Sequence, residues 1–362
     1  MKKIGIITIY DNSNFGNRLQ NYATQETIKK FNMEPITLKN LRRCNEKTSK
    51  KSEILKQKII YIIKRMQNIL KKTKKEKIFE KFNKRYINFS KNYITGYNAK
   101  KIEKEYDYFI TGSDQVWNPV FKRMTYIDLL GFTSSNKKIS FSASFGISEL
   151  TSHEQEEKIK EYINDYKGIS VRENEGKTII EKLSDRNDVQ VLLDPTMLLT
   201  NNEWNKIIKK PQKLKEEKYI LLYFLGPIAE EWKIEINRIS KEYNCDIINI
   251  LDPSSEFYNI GPDEFLYLEK NAFFICTDSF HSSVFAILYN KPFIVFERII
   301  AKKNINSRIN TLLKKFRLEN RRFNGKISEQ LLNVNYEYCE EILEDERKKS
   351  IEFLKLAFDK GE

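Results

Sequence analysis

Cysteine and histidine are scarce in this chain, and the pattern of the few that occur argues against several classes of protein. Among 362 residues there are four cysteines and two histidines, and no two cysteines form a Cys-x-x-Cys pair. We therefore expect neither a Cys/His zinc site nor a disulfide framework. Isolated thiols are typical of a reducing compartment, so we expect a cytoplasmic protein. The 12 glycines and 8 prolines are too few for a collagen-like or low-complexity chain.

Long apolar runs are also missing. No stretch of 18 apolar residues occurs, so we predict no membrane-spanning helix. The run Ile4–Ile9 is too short for the core of a secretory signal and leads into a polar loop, so it predicts a buried strand. The chain is nevertheless 40% hydrophobic and 12% aromatic, which excludes disorder and predicts two domains or one large α/β domain.

The net charge of +14 is concentrated in one segment. Residues 42–85 hold 17 Lys and Arg against four acids, a net charge of +13, so the rest of the chain is close to neutral. Apolar residues in this segment recur at intervals of three and four, which predicts a basic amphipathic helix between Ile54 and Leu70. Its apolar face contains Leu55, Ile59, Ile62, Met66 and Ile69.

Three hypotheses account for this basic helix. It packs on its own domain and leaves a solvated basic face, it rests on the anionic inner face of a membrane, or it binds nucleic acid. The segment has few aromatic residues among its basic ones and no recognised RNA or DNA motif, so we expect no nucleic-acid partner. The sequence leaves the first two hypotheses open.

Short β-branched runs alternate with helical patterns through most of the chain, which predicts parallel, doubly wound sheets. We expect an α/β fold class with two Rossmann-like doubly wound domains that are separated by a cleft. The N-terminal domain covers residues 1–200, with the basic insertion at about 42–88; the C-terminal domain covers 201–330, and a helix occupies 331–362. The predicted strands are Lys3–Ile9, Pro35–Leu38, Tyr108–Thr111, Lys138–Ser142, Gly168–Val171, Val191–Leu193, Tyr219–Leu225, Asp246–Ile250, Ala272–Cys276 and Pro292–Phe296.

Ligands of such sheets bind beyond the carboxyl ends of strands, so the polar loops there are candidate sites. The turn after the first strand opens a predicted helix over 19–31, and its amides either hold an anion or sugar hydroxyls or only cap that helix. It is neither a dinucleotide fingerprint nor a P-loop. The loop after Tyr108–Thr111 suits a polyhydroxy ligand, although Asp114 alternatively caps a helix. The candidates in these two loops are Asn14, Gly16, Asn17, Ser113, Asp114, Gln115 and Trp117.

His281 is the strongest catalytic candidate. It follows the strand Ala272–Cys276, lies among hydroxyl side chains and Asp278, and precedes a predicted apolar helix, Val284–Tyr289. A histidine at the carboxyl end of a strand suits a general acid/base or an anion ligand. His153, by contrast, is predicted to begin an exposed helix.

Two arginines are candidate anion ligands. Arg172 ends the apolar strand Gly168–Val171, where a lone guanidinium is unfavourable unless it meets an anion. We expect it to clamp a phosphate or carboxylate, or else to form an internal ion pair with Glu173 or Glu175. Arg308 begins a helix after the last predicted strand and is a weaker candidate.

These motifs, in this order, resemble the polysaccharide pyruvyl transferase family, and the similarity extends from about residue 3 to residue 320. Each motif alone is weak, but their number and order make the resemblance strong. The motifs that carry it are Asn14-Phe15-Gly16-Asn17, Gly112-Ser113-Asp114-Gln115-Val116-Trp117, Ser170-Val171-Arg172-Glu173, Leu193-Asp194-Pro195-Thr196 and Thr277-Asp278-Ser279-Phe280-His281.

The resemblance implies a fold like that of the GT-B glycosyltransferases. It also implies transfer of a pyruvyl group from phosphoenolpyruvate to a sugar of a surface polysaccharide or its lipid-linked precursor, which yields a pyruvate ketal and phosphate. In the family, an arginine after the mid-chain strand and residues around the late histidine bind the donor, and the histidine transfers a proton. Those roles fall on Arg172, Phe280 and His281.

One position departs from the family pattern. Well-studied members carry an arginine where this chain has Ser279, so either Arg308 or a lysine compensates, or the donor differs. The sequence contains no metal constellation, so we expect a metal-independent reaction with no cofactor besides phosphoenolpyruvate as co-substrate. Two alternatives stay open: a GT-B glycosyltransferase that uses a nucleotide-sugar, and a non-catalytic, basic membrane-binding protein.

Overall fold

The structure is a computed structural model. It describes residues 1–10, 13–40, 44, 46–48, 50–67, 72–121, 123–215, 218–298, 307–333 and 336–359, and of residues 64–67 it describes the backbone alone. Within this part of the chain the strands are β1 (Lys3–Ile7), β2 (Glu34–Asn40), β3 (Phe89–Ile94), β4 (Tyr108–Thr111), β5 (Lys138–Ala143), β6 (Gly168–Val171), β7 (Gln190–Val191), β8 (Tyr219–Tyr223), β9 (Asp246–Asn249), β10 (Phe274–Thr277) and β11 (Phe293–Val295).

Helices connect most of these strands. In chain order they are α1 (Phe15–Lys29), α2 (Lys51–Gln67), α3 (Lys74–Tyr86), α4 (Ala99–Glu103), α5 (His153–Ile163), α6 (Asn174–Leu183), α7 (Asn201–Asn205), α8 (Glu230–Glu242), α9 (Pro262–Asn271), α10 (Phe280–Leu288), α11 (Ser307–Lys315) and α12 (Glu337–Asp359). Among the described helices, none has the combination of length and apolar character that crossing a bilayer requires.

The strands form two sheets in which every pair is parallel. The first sheet has the order β3-β2-β1-β4-β5-β6-β7 and the second the order β11-β10-β8-β9. In each sheet the chain first builds outward on one side and then returns to the other side. The order therefore reverses between β1 and β4 in the first sheet and between β8 and β10 in the second. Such switch points are where parallel sheets bind ligands, at the carboxyl ends of the strands.

Burial on both faces explains why most strands are continuous apolar runs. Every residue of β4, β6 and β8 is buried, and helices cover parallel sheets on both sides. The runs predicted at Tyr108–Thr111 and Gly168–Val171 coincide with β4 and β6. The edge strand β3 was not predicted, because its exposed Lys91 and Asn92 interrupt the apolar pattern.

The chain divides into two compact units, each with one sheet. The first unit consists of residues 1–73, 83–198 and 346–362, and the second of residues 74–82 and 199–345. Helix α12 therefore begins in the second unit and ends in the first. In the first unit, the ring of Phe353 on α12 stacks on the ring of Phe141 on β5, with 6.3 Å between centroids.

The basic segment contains α2 and α3. The predicted helix between Ile54 and Leu70 corresponds to α2, although Ile69 and Leu70 lie outside the described residues. In the described part of its predicted apolar face, Leu55 and Ile62 are more than half exposed. The helix does pack on its own unit, but through Ile60 and Tyr61 on its other side, so the expected packing face is corrected.

Candidate functional site

The switch point of the first sheet joins the two loops that contain most of the candidate residues. Asn17, in the first turn of α1 beyond β1, donates a hydrogen bond from Nδ2 to the Asp114 carboxylate beyond β4. Asn14 caps the same helix, and its Oδ1 accepts from the backbone N–H of Asn17 at 3.1 Å. The structure therefore brings Asn14, Asn17 and Asp114 together. Gly16 is buried within the first turn of α1.

Arg172, directly after β6, lies at the centre of a buried ion cluster. Its Nη1 lies 2.6 Å from Asp194 Oδ2, and its Nη2 lies 3.3 Å from Asp114 Oδ1. Ser113 Oγ donates to the same Asp194 oxygen at 2.7 Å. Burial lowers the pKa of Arg172, but the two carboxylates outweigh burial and raise its pKa above the ordinary value. The guanidinium therefore stays charged and ties the β4, β6 and β7 loops together.

The internal ion pair expected for Arg172 is present, and it includes two acids that are not its predicted partners, Asp194 and Asp114. The negative charge of Glu173 also acts on the guanidinium and raises its pKa. Glu173 is fully buried and has a further role, since its Oε1 accepts hydrogen bonds from Ser144 Oγ and from the backbone N–H groups of residues 145 and 146 at 2.8–3.0 Å. These bonds fix the loop that follows β5.

Two other candidates beyond β4 have structural contacts. Trp117 is fully buried, packs against Phe145 and Tyr166, and donates from Nε1 to the Asp128 carbonyl at 3.1 Å. Gln115 Oε1 accepts from Asn118 Nδ2 at 2.5 Å. Trp117 is therefore a core residue, whereas Gln115 is half-buried at the surface of this loop.

Asp278, which follows β10, connects the loops at the switch point of the second sheet. Its carboxylate accepts from the backbone N–H groups of Leu225 and Gly226, beyond β8, at 2.7 and 2.8 Å. Arg298, beyond β11, donates from Nε to the same carboxylate at 2.9 Å and from Nη2 to the Asp278 carbonyl at 2.8 Å. One carboxylate thus holds three strand ends in place.

Helix α10 begins immediately after this carboxylate. Ser279 is its N-cap residue, and Phe280 and His281 form the start of its first turn. The helix therefore begins earlier than the predicted Val284, and His281 lies in its first turn rather than in a preceding loop. All three side chains are buried, and the rings of Phe280 and His281 meet edge to face at 5.3 Å. The first turn, which is fully described, contains no acidic residue.

The remaining candidates differ in their surroundings. Arg308 is buried in the first turn of α11, a helix that packs against α10. His153 begins α5 with a side chain that is 79% exposed, as predicted, and lies near Glu156 and Glu157. Among the described residues, no group of three or more His, Cys, Asp or Glu side chains is arranged to hold a metal ion.

A buried acid lies behind the start of α10. Glu269 on α9 is fully buried, and Ser282 Oγ, next to His281 in the chain, donates to its Oε1 at 2.6 Å. Burial raises the pKa of Glu269 well above its ordinary value. This shift favours the neutral form of the carboxyl, which weakens its repulsion of an anion at the start of α10.

The comparison with protein families supports the sequence motifs. The family model "Polysaccharide pyruvyl transferase" matches residues 14–298, which include both switch points. The chain belongs to the polysaccharide pyruvyl transferase family. It is accordingly a transferase of polysaccharide biosynthesis. No curated protein matches the chain.

The similarity of this pyruvyl transferase to solved structures concerns the fold alone. A Listeria monocytogenes protein described as a UDP-N-acetylglucosamine 2-epimerase has a TM-score of 0.54 at 8% identity, with 100% of this chain and 98% of that chain covered. The UDP-N-acetylglucosamine 2-epimerase of Rickettsia bellii has a TM-score of 0.51 at 12% identity, with 98% and 96% covered. These are GT-B proteins, so the predicted fold class is confirmed.

Sequence reasoning assigned no individual role to three residues that shape these sites in the pyruvyl transferase, namely Asp194, Glu269 and Arg298. Asp194 is part of a motif that carries the family resemblance, and its other signal in the sequence is its position before Pro195, at the end of an apolar run. Glu173 is expected as a motif residue and as a partner of Arg172, but its hydrogen bonds to the loop after β5 were not predicted. Glu269 and Arg298 lie within ordinary charged stretches, and their contacts come from the packing of separate elements.

Replacement of Arg172 by Met tests whether this residue is structural. Met retains much of the side-chain length but leaves Asp194 and Asp114 buried without the guanidinium, so we expect a loss of about 3–5 kcal/mol in the free energy of unfolding. Urea denaturation measures this loss. The control is Arg238→Met, whose partly exposed guanidinium pairs with Glu235 and Glu242 and donates to the Ile327 carbonyl, which predicts a loss of about 1–2 kcal/mol. Equal losses in the two variants would contradict a structural role.

The pH dependence of stability tests the neutral state of Glu269. An unfolded Glu titrates near about pH 4.3, and the folded pKa is higher, so above that pH the folded state holds the extra proton. Stability from this group is therefore greatest at low pH and falls as the pH rises toward the folded pKa. Glu269→Gln removes this fall, so in urea denaturation its stability relative to wild type should rise as the pH is raised above about 4.3. The exposed Glu231→Gln serves as control, and a pH-independent difference for Glu269→Gln would refute the assignment.

Proposed function

We propose that the protein transfers a pyruvyl group from phosphoenolpyruvate to a sugar of a surface polysaccharide or its lipid-linked precursor. The product is a cyclic pyruvate ketal, and phosphate is released. The observation that carries this proposal is the acid-free start of α10, at a sheet switch point, with His281 in its first turn. We assign donor binding to this unit, through Ser279, Phe280 and Arg308, and proton transfer to His281.

The charge at the start of α10 supports an anionic donor. The first backbone N–H groups of a helix have no acceptor within the helix, and the helix dipole favours negative charge there. Phosphoenolpyruvate carries both a phosphate and a carboxylate, and anions of this kind bind helix starts at the carboxyl edge of parallel sheets. The nearest acid in the chain, Asp278, already forms an ion pair with Arg298, and burial raises the pKa of Glu269 behind the helix, which favours its neutral form.

The switch point of the first sheet suits a sugar better than an anion. One guanidinium, that of Arg172, meets the carboxyl groups of Asp114 and Asp194 and lies near Glu173, so acids outnumber the cation. A dianionic donor would be repelled from this edge. Carboxylate and amide side chains such as Asp114 and Asn17 hydrogen-bond well to hydroxyl groups. We therefore assign the acceptor to this edge.

Ketal formation needs two C–O bonds and one proton transfer. One sugar hydroxyl bonds to C2 of phosphoenolpyruvate while the C3 methylene takes a proton and becomes a methyl group. A second hydroxyl then bonds to C2 as the bond between C2 and the phosphate oxygen breaks. Imidazole is a common general acid in enzymes, so we assign delivery of the first proton to His281. The hydroxyl protons pass to solvent or to the released phosphate.

The state of the cysteines indicates the cellular compartment in which the reaction takes place. All four cysteines are free and buried. Four unpaired thiols in one chain are typical of a reducing environment, which supports a cytoplasmic reaction. The proposed reaction needs no metal ion or further cofactor, because the cations and amides of the protein can stabilise the phosphate that leaves.

Ser279 favours one alternative function. Its uncharged side chain stands where well-studied members of the family carry an arginine, so the donor site lacks one expected cation. A donor with a different distribution of charge, such as a nucleotide-sugar, would make this protein a glycosyltransferase on the same fold.

Ligand-induced stabilisation distinguishes the two donors without knowledge of the acceptor. We expect phosphoenolpyruvate to raise the melting temperature in a concentration-dependent way, since a ligand that binds the folded state stabilises it. Ser279→Arg should tighten phosphoenolpyruvate binding roughly tenfold through a charge-assisted hydrogen bond. Ser279→Gln, similar in size but uncharged, is the matched control and should not tighten it. Stabilisation by a nucleotide-sugar and not by phosphoenolpyruvate would instead establish the glycosyltransferase alternative.

His281→Gln tests proton transfer separately from binding. Gln can hydrogen-bond but cannot exchange a proton near neutral pH, so we expect a decrease in turnover of about 10²–10⁴-fold. Phosphate release from phosphoenolpyruvate, measured with a lipid-linked oligosaccharide fraction as acceptor, reports turnover. Thermal stabilisation by phosphoenolpyruvate should persist in this variant. Unchanged turnover would show that His281 takes no part in the chemistry. If phosphoenolpyruvate no longer stabilised the variant but turnover at saturating donor were unchanged, His281 would be a binding residue only.

A further inference from the structure

Helix α2 carries a continuous apolar surface that faces solvent. Four of its side chains, which we call the exposed stripe, are 47–59% exposed: Leu55, Ile59, Ile62 and Ile63. Only eleven large apolar side chains are exposed in the described part of the chain, and four of them share this one helix. Isolated exposed apolar residues are ordinary, but a cluster of this kind indicates an interaction surface.

The opposite face of α2 is anchored in the first unit. Ile60 and Tyr61 pack against a small cluster that contains the buried Cys44 and Tyr93, and the rings of Tyr61 and Tyr93 meet edge to face at 5.8 Å. Gln57 Nε2 donates to the Glu46 carbonyl at 3.2 Å. The helix is thus held by one side, and this attachment fixes the exposed stripe toward solvent.

The arrangement around the helix axis is that of an interfacial helix. At about 100° per residue, the exposed stripe spans roughly 100°, and its midpoint lies roughly 170° from that of the anchored residues. Exposed lysines border the exposed stripe on both sides, with Lys51 and Lys58 on one flank and Lys56 on the other. Lysines in this position extend their charged ends toward headgroups while the aliphatic stripe contacts acyl chains.

We propose that α2 lies flat on an anionic membrane surface, with the exposed stripe in the boundary between headgroups and acyl chains. The charge selects this partner: residues 42–85 carry +13, so an anionic lipid surface attracts the segment. A second copy of the same surface is repelled by its own like charge. A nucleic acid would leave the exposed stripe in water, because the groove or strand it presents offers no aliphatic partner.

Vesicle co-sedimentation of the full-length protein tests the proposal. We expect binding to phosphatidylcholine vesicles that contain about one third phosphatidylglycerol, little binding to pure phosphatidylcholine, and weaker binding as salt rises. Leu55→Ser/Ile59→Ser/Ile62→Ser should abolish binding. Lys56→Glu/Lys58→Glu should weaken it roughly 25-fold or more, at about fivefold for each lysine removed from an anionic surface.

Matched variants on other helices provide the controls. Ile234→Ser removes a side chain on α8 that is 63% exposed, and Lys182→Glu/Lys241→Glu makes the same change in net charge at exposed lysines elsewhere. These controls should bind vesicles like wild type, and melting temperatures should confirm that every variant is folded. Failure of the wild type to bind anionic vesicles, or equal losses in the controls, would overturn the proposal. The proposal would also be overturned if the protein failed to bind vesicles and instead formed dimers, or bound RNA, through the exposed stripe.

The proposal does not depend on the donor chemistry. Phosphoenolpyruvate binding is measured without vesicles, and vesicle binding is measured without phosphoenolpyruvate. Each result therefore supports or overturns its own hypothesis.

Discussion

The buried guanidinium of Arg172 organises the carboxyl edge of the first sheet. It is 3% exposed and joins Asp194, beyond β7, to Asp114, beyond β4, while Asn17 extends the same network to α1. Removal of one partner from a buried ion pair leaves an uncompensated charge, so the loops that supply these residues can only move together. The φ angle of Asp114 is +69°, a region that non-glycine residues adopt only where their surroundings hold them. A rigid, polar edge results, and its geometry is set before any ligand binds.

The two sheets use carboxylates differently at the same topological position. In the first sheet, Asp114, Asp194 and Glu173 collect around Arg172. In the second, Asp278 is used to fasten β8 and β10 and is neutralised by Arg298, which leaves the start of α10 without opposing charge. Burial also raises the pKa of Glu269, which favours its neutral form. The fold gives two switch points, and the side chains around each of them give it a different electrostatic character.

Sequence patterns predicted the elements that are buried on both faces and missed contacts between distant residues. The apolar runs of β4 and β6 identify them directly, and the family motifs point to the loops that follow. The edge strand β3 gives no such signal, since Lys91 and Asn92 face solvent. For Arg172 the expected partners are its neighbours in the chain, whereas the two carboxylates that it hydrogen-bonds are 22 and 58 residues away. Only the sheet order brings those loops together, and a single sequence does not encode sheet order locally.

The basic helix illustrates the same limit for surfaces. A period of three and four residues identifies an apolar face but not what covers it, because packing on the protein and packing on an external surface need the same pattern. In α2 the side that packs is the one with Gln57 and Tyr61, which the apolar period does not select. The more apolar face is left exposed and bordered by lysines. Water is the least favourable environment for that face, and an anionic interface satisfies both its apolar centre and its charged border.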